Sequence, residues 1–113
     1  MDAKHLRGEA DKLRREARHK HDAAINAAGS ATTFAKAGDP AKGEEEQAKA
    51  SALTEEAEKL ESEAAEKESE AEEKESQARD IDNQMAEKER QHRQEMNELK
   101  KQKDELTGGA SLF

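Results

Sequence analysis

Small apolar residues recur with a seven-residue period along two segments of the chain, and this period limits the folds that the chain can adopt. In the first segment the repeating positions hold Ala3, Leu6, Ala10, Leu13, Ala17, Ala24, Ala27, Ala31 and Phe34. In the second segment they hold Ala50, Leu53, Ala57, Leu60, Ala64, Ala71, Ala78, Ile81 and Met85. A narrow stripe in which alanine dominates is typical of a helix that packs closely against one other helix. The period therefore predicts two helices that pair as a coiled coil.

The composition favours helix and excludes a large globular core. Charged residues make up 42% of the chain and hydrophobic residues only 31%, many of them alanine. Low hydrophobicity with a net charge of −8 is also typical of disordered chains. However, strong helix formers dominate, and Glu is repeatedly followed four residues later by Lys or Arg, which stabilises helices. We therefore expect an ordered, all-α, elongated protein.

One short stretch, from Gly38 to Pro40, has the composition of a turn between the two helices. Glycine is favoured just after the end of a helix, and proline is favoured at the start of the next. The sequence thus predicts a first helix over residues 1–37, a turn over 38–43 and a second helix from Glu44. This second helix divides into a hairpin part, 44–80, and an overhanging part, 81–107, before a flexible tail at 108–113.

The distribution of charge favours an antiparallel hairpin. Residues 1–43 hold nine Lys and Arg against six Asp and Glu, whereas residues 44–89 hold six against eighteen. If the chain reverses near Pro40, the basic stretch from Arg7 to Lys20 lies opposite the acidic stretch from Glu61 to Glu75. Single surface ion pairs contribute little, but opposite charges along the whole length select this arrangement over its alternatives.

The overhanging part carries most of the large apolar residues of the second helix and is the predicted interaction surface. At a rise of about 1.5 Å per residue, the first helix can cover the second only to about residue 80. We therefore expect a partner beyond that point, most simply a second copy in a homo-oligomer, a dimer, and alternatively a larger protein that binds the overhang or the C-terminal tail. The tail ends in "SLF", and its Leu112 and Phe113 resemble the apolar residues of a short docking peptide. The predicted interaction residues are Ile81, Met85, His92, Met96, Leu99, Leu106, Leu112 and Phe113.

Motifs that carry chemistry are not found in the sequence, so we expect no catalytic, cofactor-binding or metal-ligating residues and no enzyme. His19 and His21 are two residues apart, which on a helix directs them to different sides, unlike the four-residue spacing of helical zinc sites. The absence of Cys excludes disulfides and thiolate metal sites. No stretch approaches the ~20 apolar residues needed to span a bilayer. We expect a cytoplasmic protein that does not enter a membrane, and we do not expect nucleic acid to be its main partner.

A resemblance to a known family covers roughly residues 10–66. The motifs "LRREA" at Leu13–Ala17, "AGD" at Ala37–Asp39 and "EAAE" at Glu63–Glu66 are similar, in order and spacing, to the helical element that precedes Smr (small MutS-related) nuclease domains. This resemblance implies a helical hairpin. It implies nothing catalytic, because no nuclease domain follows in this sequence.

These observations lead to one principal hypothesis and two alternatives for function. The principal hypothesis is a non-enzymatic coiled-coil structural or interaction protein that acts through its overhanging helix and tail. The first alternative is a helical-hairpin secretion substrate or chaperone-bound partner. The second is a nucleic-acid-associated helper protein, which the basic first helix and the resemblance to the Smr-associated element suggest.

Overall fold

Two helices joined by a three-residue turn form the chain in its computed structural model, which describes residues 1–108. Helix α1 spans Ala3–Lys36, 34 residues, and helix α2 spans Pro40–Leu106, 67 residues. No strand occurs within residues 1–108. The predicted all-α fold, a two-helix hairpin with a longer second helix, is confirmed. The chain divides into two units, the hairpin Met1–Lys74 and a second unit from Glu75 onward.

Helix α1 begins and ends with local hydrogen bonds that satisfy its terminal backbone groups. At its start, the Asp2 carboxylate accepts a hydrogen bond of 2.7 Å from the backbone N–H of His5. At its end, Gly38 adopts a positive φ of 85°, and the N–H of Asp39 donates to the carbonyl of Phe34 at 3.0 Å. This is the glycine-terminated helix end that the sequence predicted, since glycine adopts positive φ without steric cost.

Helix α2 begins at Pro40, so the predicted turn over residues 38–43 is too long. The cause is Asp39, whose carboxylate accepts from the N–H of Lys42 at 3.2 Å and whose carbonyl accepts from the N–H of Gly43 at 3.1 Å. Pro40 occupies the first helical position, where its missing N–H costs no hydrogen bond. The capping residue and the proline together start the helix four residues before Glu44.

The core of the hairpin is a seam of small residues between α1 and α2. In α2 the buried positions recur every seven residues. The same period is present in α1, where one buried position near the start of the helix is a leucine. Because Ala has a short side chain, the two backbones can approach closely along the whole seam. Ala78, Ile81 and Met85, which the period also assigned to the seam, are exposed. The buried residues are Leu6, Ala10, Ala17, Ala24, Ala27, Ala31, Gly43, Ala50, Ala57, Ala64 and Ala71.

Gly43 forms the tightest part of the seam, next to the turn. A Cβ atom at this position would lie 3.1 Å from the carbonyl oxygen of Ala31 and 3.5 Å from the backbone nitrogen of Ala35. The first of these distances is shorter than ordinary van der Waals contact, and both atoms belong to the backbone, which cannot rotate away. The sequence analysis placed Gly43 in the turn, whereas in the structure this glycine lies in α2 and permits the close approach of α1.

We expect a larger side chain in the seam to destabilise the hairpin. Ala57 is fully buried, and Ala57→Leu would insert three additional carbon atoms between the helices. The free energy of unfolding should fall by about 1–3 kcal/mol, the usual cost of overpacking a well-packed core. Urea unfolding followed by circular dichroism measures this change. Ala52→Leu is the matched control, because Ala52 is exposed on the same helix. Equal midpoints for the two variants would contradict the close packing of the seam.

Candidate functional site

Four ion pairs link α1 to α2 on the two edges of the hairpin seam. In three of them the basic residue belongs to α1 and the acidic residue to α2, which is the polarity that the charge distribution predicted. The fourth has the opposite polarity. The pairs are Arg14 with Glu68, Lys20 with Glu56 at 3.0 Å, His21 with Glu61 at 3.1 Å, and Lys67 with Glu9 at 2.8 Å.

Two of these pairs shift the pKa values of their members. The hydrogen bond from Arg14 lowers the pKa of Glu68, and the hydrogen bond from Lys67 lowers the pKa of Glu9. The same two bonds raise the pKa of Arg14 and of Lys67. All four side chains remain accessible to water, so each pair contributes modestly to stability. They lie at the edges of the hairpin seam and add to the contact between α1 and α2.

We expect acid to weaken the hairpin through Glu9 and Glu68. Because the folded-state pKa of each carboxyl lies below its ordinary value of about 4.3, its stabilising effect is present above that pH and is lost as the pH falls through the folded-state pKa. The urea midpoint should therefore decrease on acidification below about pH 4.3.

The double variant Glu9→Gln, Glu68→Gln should show a smaller decrease over the same pH range. Its control is Glu72→Gln, Glu73→Gln, which also removes two carboxyl groups but from exposed positions of α2. If both variants lose stability on acidification as steeply as the unsubstituted chain, the two ion pairs do not contribute to the pH dependence.

The candidate interaction surface lies on α2 within the second unit. We refer to Ile81, Met85, His92, Met96, Leu99 and Leu106 as the α2 stripe. On a helix with 3.6 residues per turn, these six positions fall within about 80° of one another around the axis. The five apolar members are between 45% and 89% exposed, and His92 is also exposed. The structure therefore brings six of the eight predicted interaction residues to one exposed face. The other two, Leu112 and Phe113, lie outside the described residues.

Two lysines on the same face were missed when the interaction residues were predicted. Lys88 follows Met85 by three residues and precedes His92 by four, and Lys103 has the same relation to Leu99 and Leu106, with the spacings reversed. The three- and four-residue spacing places both lysines on this face, but a lysine by itself does not indicate an interface. The complete face has five apolar positions and three polar ones.

Basic residues occupy the opposite side and one flank of this part of α2. Arg90 and Lys101 lie about 160–180° from the centre of the stripe, whereas Arg93 and Lys100 lie about 80–100° from it, at its flank. Arg90 forms an ion pair with Glu87 one turn earlier. This part of α2 is thus amphipathic, with an exposed, largely apolar face and charged residues on the opposite side.

The histidines and acidic residues do not form a metal site in the part of the chain that the structure describes. His21 pairs with Glu61 across the hairpin and His5 pairs with Glu9 at 3.2 Å, so these two rings contact single carboxylates. No group of three or more potential ligands gathers anywhere in residues 1–108. Neither α1 nor α2 combines the length and the apolarity that a membrane-spanning helix requires.

Comparison with protein-family models, with curated proteins and with solved structures finds no match. The resemblance of residues 10–66 to the Smr-associated helical element stays a prediction. Function is therefore inferred from the geometry of the hairpin and of the α2 stripe.

Proposed function

We propose that this protein is a non-enzymatic, cytoplasmic interaction protein whose α2 stripe binds a second copy of the chain as a coiled coil. In this proposal the hairpin Met1–Lys74 is a structural spacer, and the unit from Glu75 supplies the contact. One observation carries the proposal: five large apolar side chains are exposed on a single face of one helix.

The two units differ in how they treat their apolar residues, and this difference supports the proposal. In the hairpin, the repeating small residues are buried between α1 and α2. In the second unit, Ile81, Met85 and Leu99 are larger, yet each is more than half exposed. Burial of apolar groups stabilises a protein by about 0.8 kcal/mol per CH₂ group, so this face gains most from a partner. Single exposed apolar residues are common, but an aligned row of them is typical of an interface.

The charges beside the stripe do not oppose the association of two copies. Residues 90–105 contain Arg90, Arg93, Lys100, Lys101 and Lys103 together with Glu95, Glu98, Asp104 and Glu105. Both signs are interspersed, so two copies can approach without a large net repulsion. Mixed charges beside an apolar seam are also the pattern found in coiled coils.

Sedimentation of the full chain tests the proposal. At micromolar concentration we expect a dimer or higher oligomer, and we expect the double variant Met85→Lys, Leu99→Lys to be monomeric, because each dimer would have to desolvate four added ammonium groups. A sedimentation-velocity series over concentration measures the change.

The matched control is Ala86→Lys, Asn97→Lys. It adds the same two charges to the opposite side of the same helix, and it should sediment as the unsubstituted chain does. Circular dichroism checks that all the variants remain helical. A monomeric unsubstituted chain, or equal dissociation of the two variants, would contradict the proposal.

A further inference from the structure

We infer that the second copy lies antiparallel on the α2 stripe, with the two-fold axis near Gln94. This inference rests on the proposed self-association and adds the orientation and register of the two helices. It follows from the positions of the polar residues on the exposed face. The apolar positions are Ile81, Met85, Met96, Leu99 and Leu106, and the polar positions are Lys88, His92 and Lys103.

A parallel pair in register would bring each polar residue against its own copy. Lys88 would face Lys88, and Lys103 would face Lys103, so two pairs of like charges would lie within the contact. His92 would likewise face His92. Like charges directly opposite one another destabilise paired elements, and burial would increase the cost because it removes the screening water.

A staggered parallel pair avoids these contacts but cannot close. The first copy would leave part of its stripe uncovered, and that part would bind a third copy. Such head-to-tail association continues into an open filament rather than a closed dimer. A closed dimer with the whole stripe covered therefore requires the antiparallel orientation.

The antiparallel pair places each of the three polar residues of the exposed face opposite an apolar residue of the other copy. The spacing of the face is nearly symmetric about Gln94, since steps of three and four residues lead outward in both directions to Ile81 and to Leu106. Each lysine can then lay its aliphatic part along the partner's apolar side chain and keep its ammonium group in water. The resulting pairs between the two copies are Ile81 with Leu106, Met85 with Lys103, Lys88 with Leu99, and His92 with Met96.

The flanking residues agree with this register at one charged pair, whereas Glu95, about 60° from the centre of the stripe and beside the two-fold axis, lies near its own copy at the water-exposed edge of the contact. Glu89 of one copy lies opposite Lys100 of the other, and this pair of opposite charges occurs twice in the dimer. Gln84 faces Gln102 in the same way, as two uncharged amides that can exchange hydrogen bonds. Acidic residues are also present near both ends, but Asp80 and Asp104 lie about 120° from the centre of the stripe and project away from the contact.

Disulfide crosslinking tests the orientation directly, because the chain has no Cys of its own. The full-length variants Lys88→Cys and Leu99→Cys are oxidised separately and as a mixture. We expect a covalent dimer in the mixture and little or none in either variant alone, since residue 88 of one copy faces residue 99 of the other. A mixture of Lys88→Cys with Asn97→Cys, which lies on the opposite side of the helix, should not crosslink.

The outcomes separate this inference from the proposed function. A covalent dimer of Lys88→Cys alone would show a parallel pair and overturn the inference while leaving self-association intact. A chain that sediments as a dimer but crosslinks in none of these combinations would overturn the register. A chain that sediments as a monomer would overturn the proposed function, and the inference with it.

Discussion

The close approach of two helix backbones along a seam of alanine and glycine is the contact on which the hairpin depends. Ala57, Ala64 and Ala71 have no exposed surface, although their side chains are single methyl groups. Such small groups are buried only if the opposite helix lies very close to them. At Gly43 the two backbones are so close that even one added carbon atom would meet the carbonyl of Ala31. The three-residue turn makes α1 and α2 antiparallel, and the ion pairs at the edges of the seam match this arrangement.

The small-residue seam also explains why the hairpin and the second unit have different roles in our proposal. A seam of alanines needs little apolar material, so the hairpin is complete with Leu6 as its largest fully buried side chain. The larger apolar residues of the second unit that the structure describes are all exposed, whereas Leu13, Leu53 and Leu60 of the hairpin are partly buried. The protein thus separates the residues that hold its own fold from those available for association.

Much of this architecture could be predicted because helical period and turn chemistry are local properties of a sequence. The seven-residue repeat of alanine predicted the seam, and Gly38 predicted the end of α1. Asp39 and Pro40 have the composition of a helix start, but the predicted boundary was at Glu44, because the acidic run there also favours the start of a helix. The burial of Gly43 was also missed, since a missing side chain matters for packing only when the opposite backbone is in place.

The reversed pair Glu9 and Lys67 was not predicted, because the net charge of a segment does not determine which individual residues pair. The α2 stripe was predicted from spacing, but its two lysines were not, as the prediction considered lysine only as a solvent-facing residue.

The alanine seam has a consequence for how the hairpin responds to temperature. The heat capacity change of unfolding grows with the apolar area that unfolding exposes. A methyl group buried against a backbone contributes far less of this area than a leucine or a phenylalanine would. The stability of the hairpin should therefore vary with temperature along a shallow curve, with a broad maximum and a gradual thermal transition. A fold held by the proximity of two backbones is in this respect less sensitive to temperature than one held by a bulky apolar core.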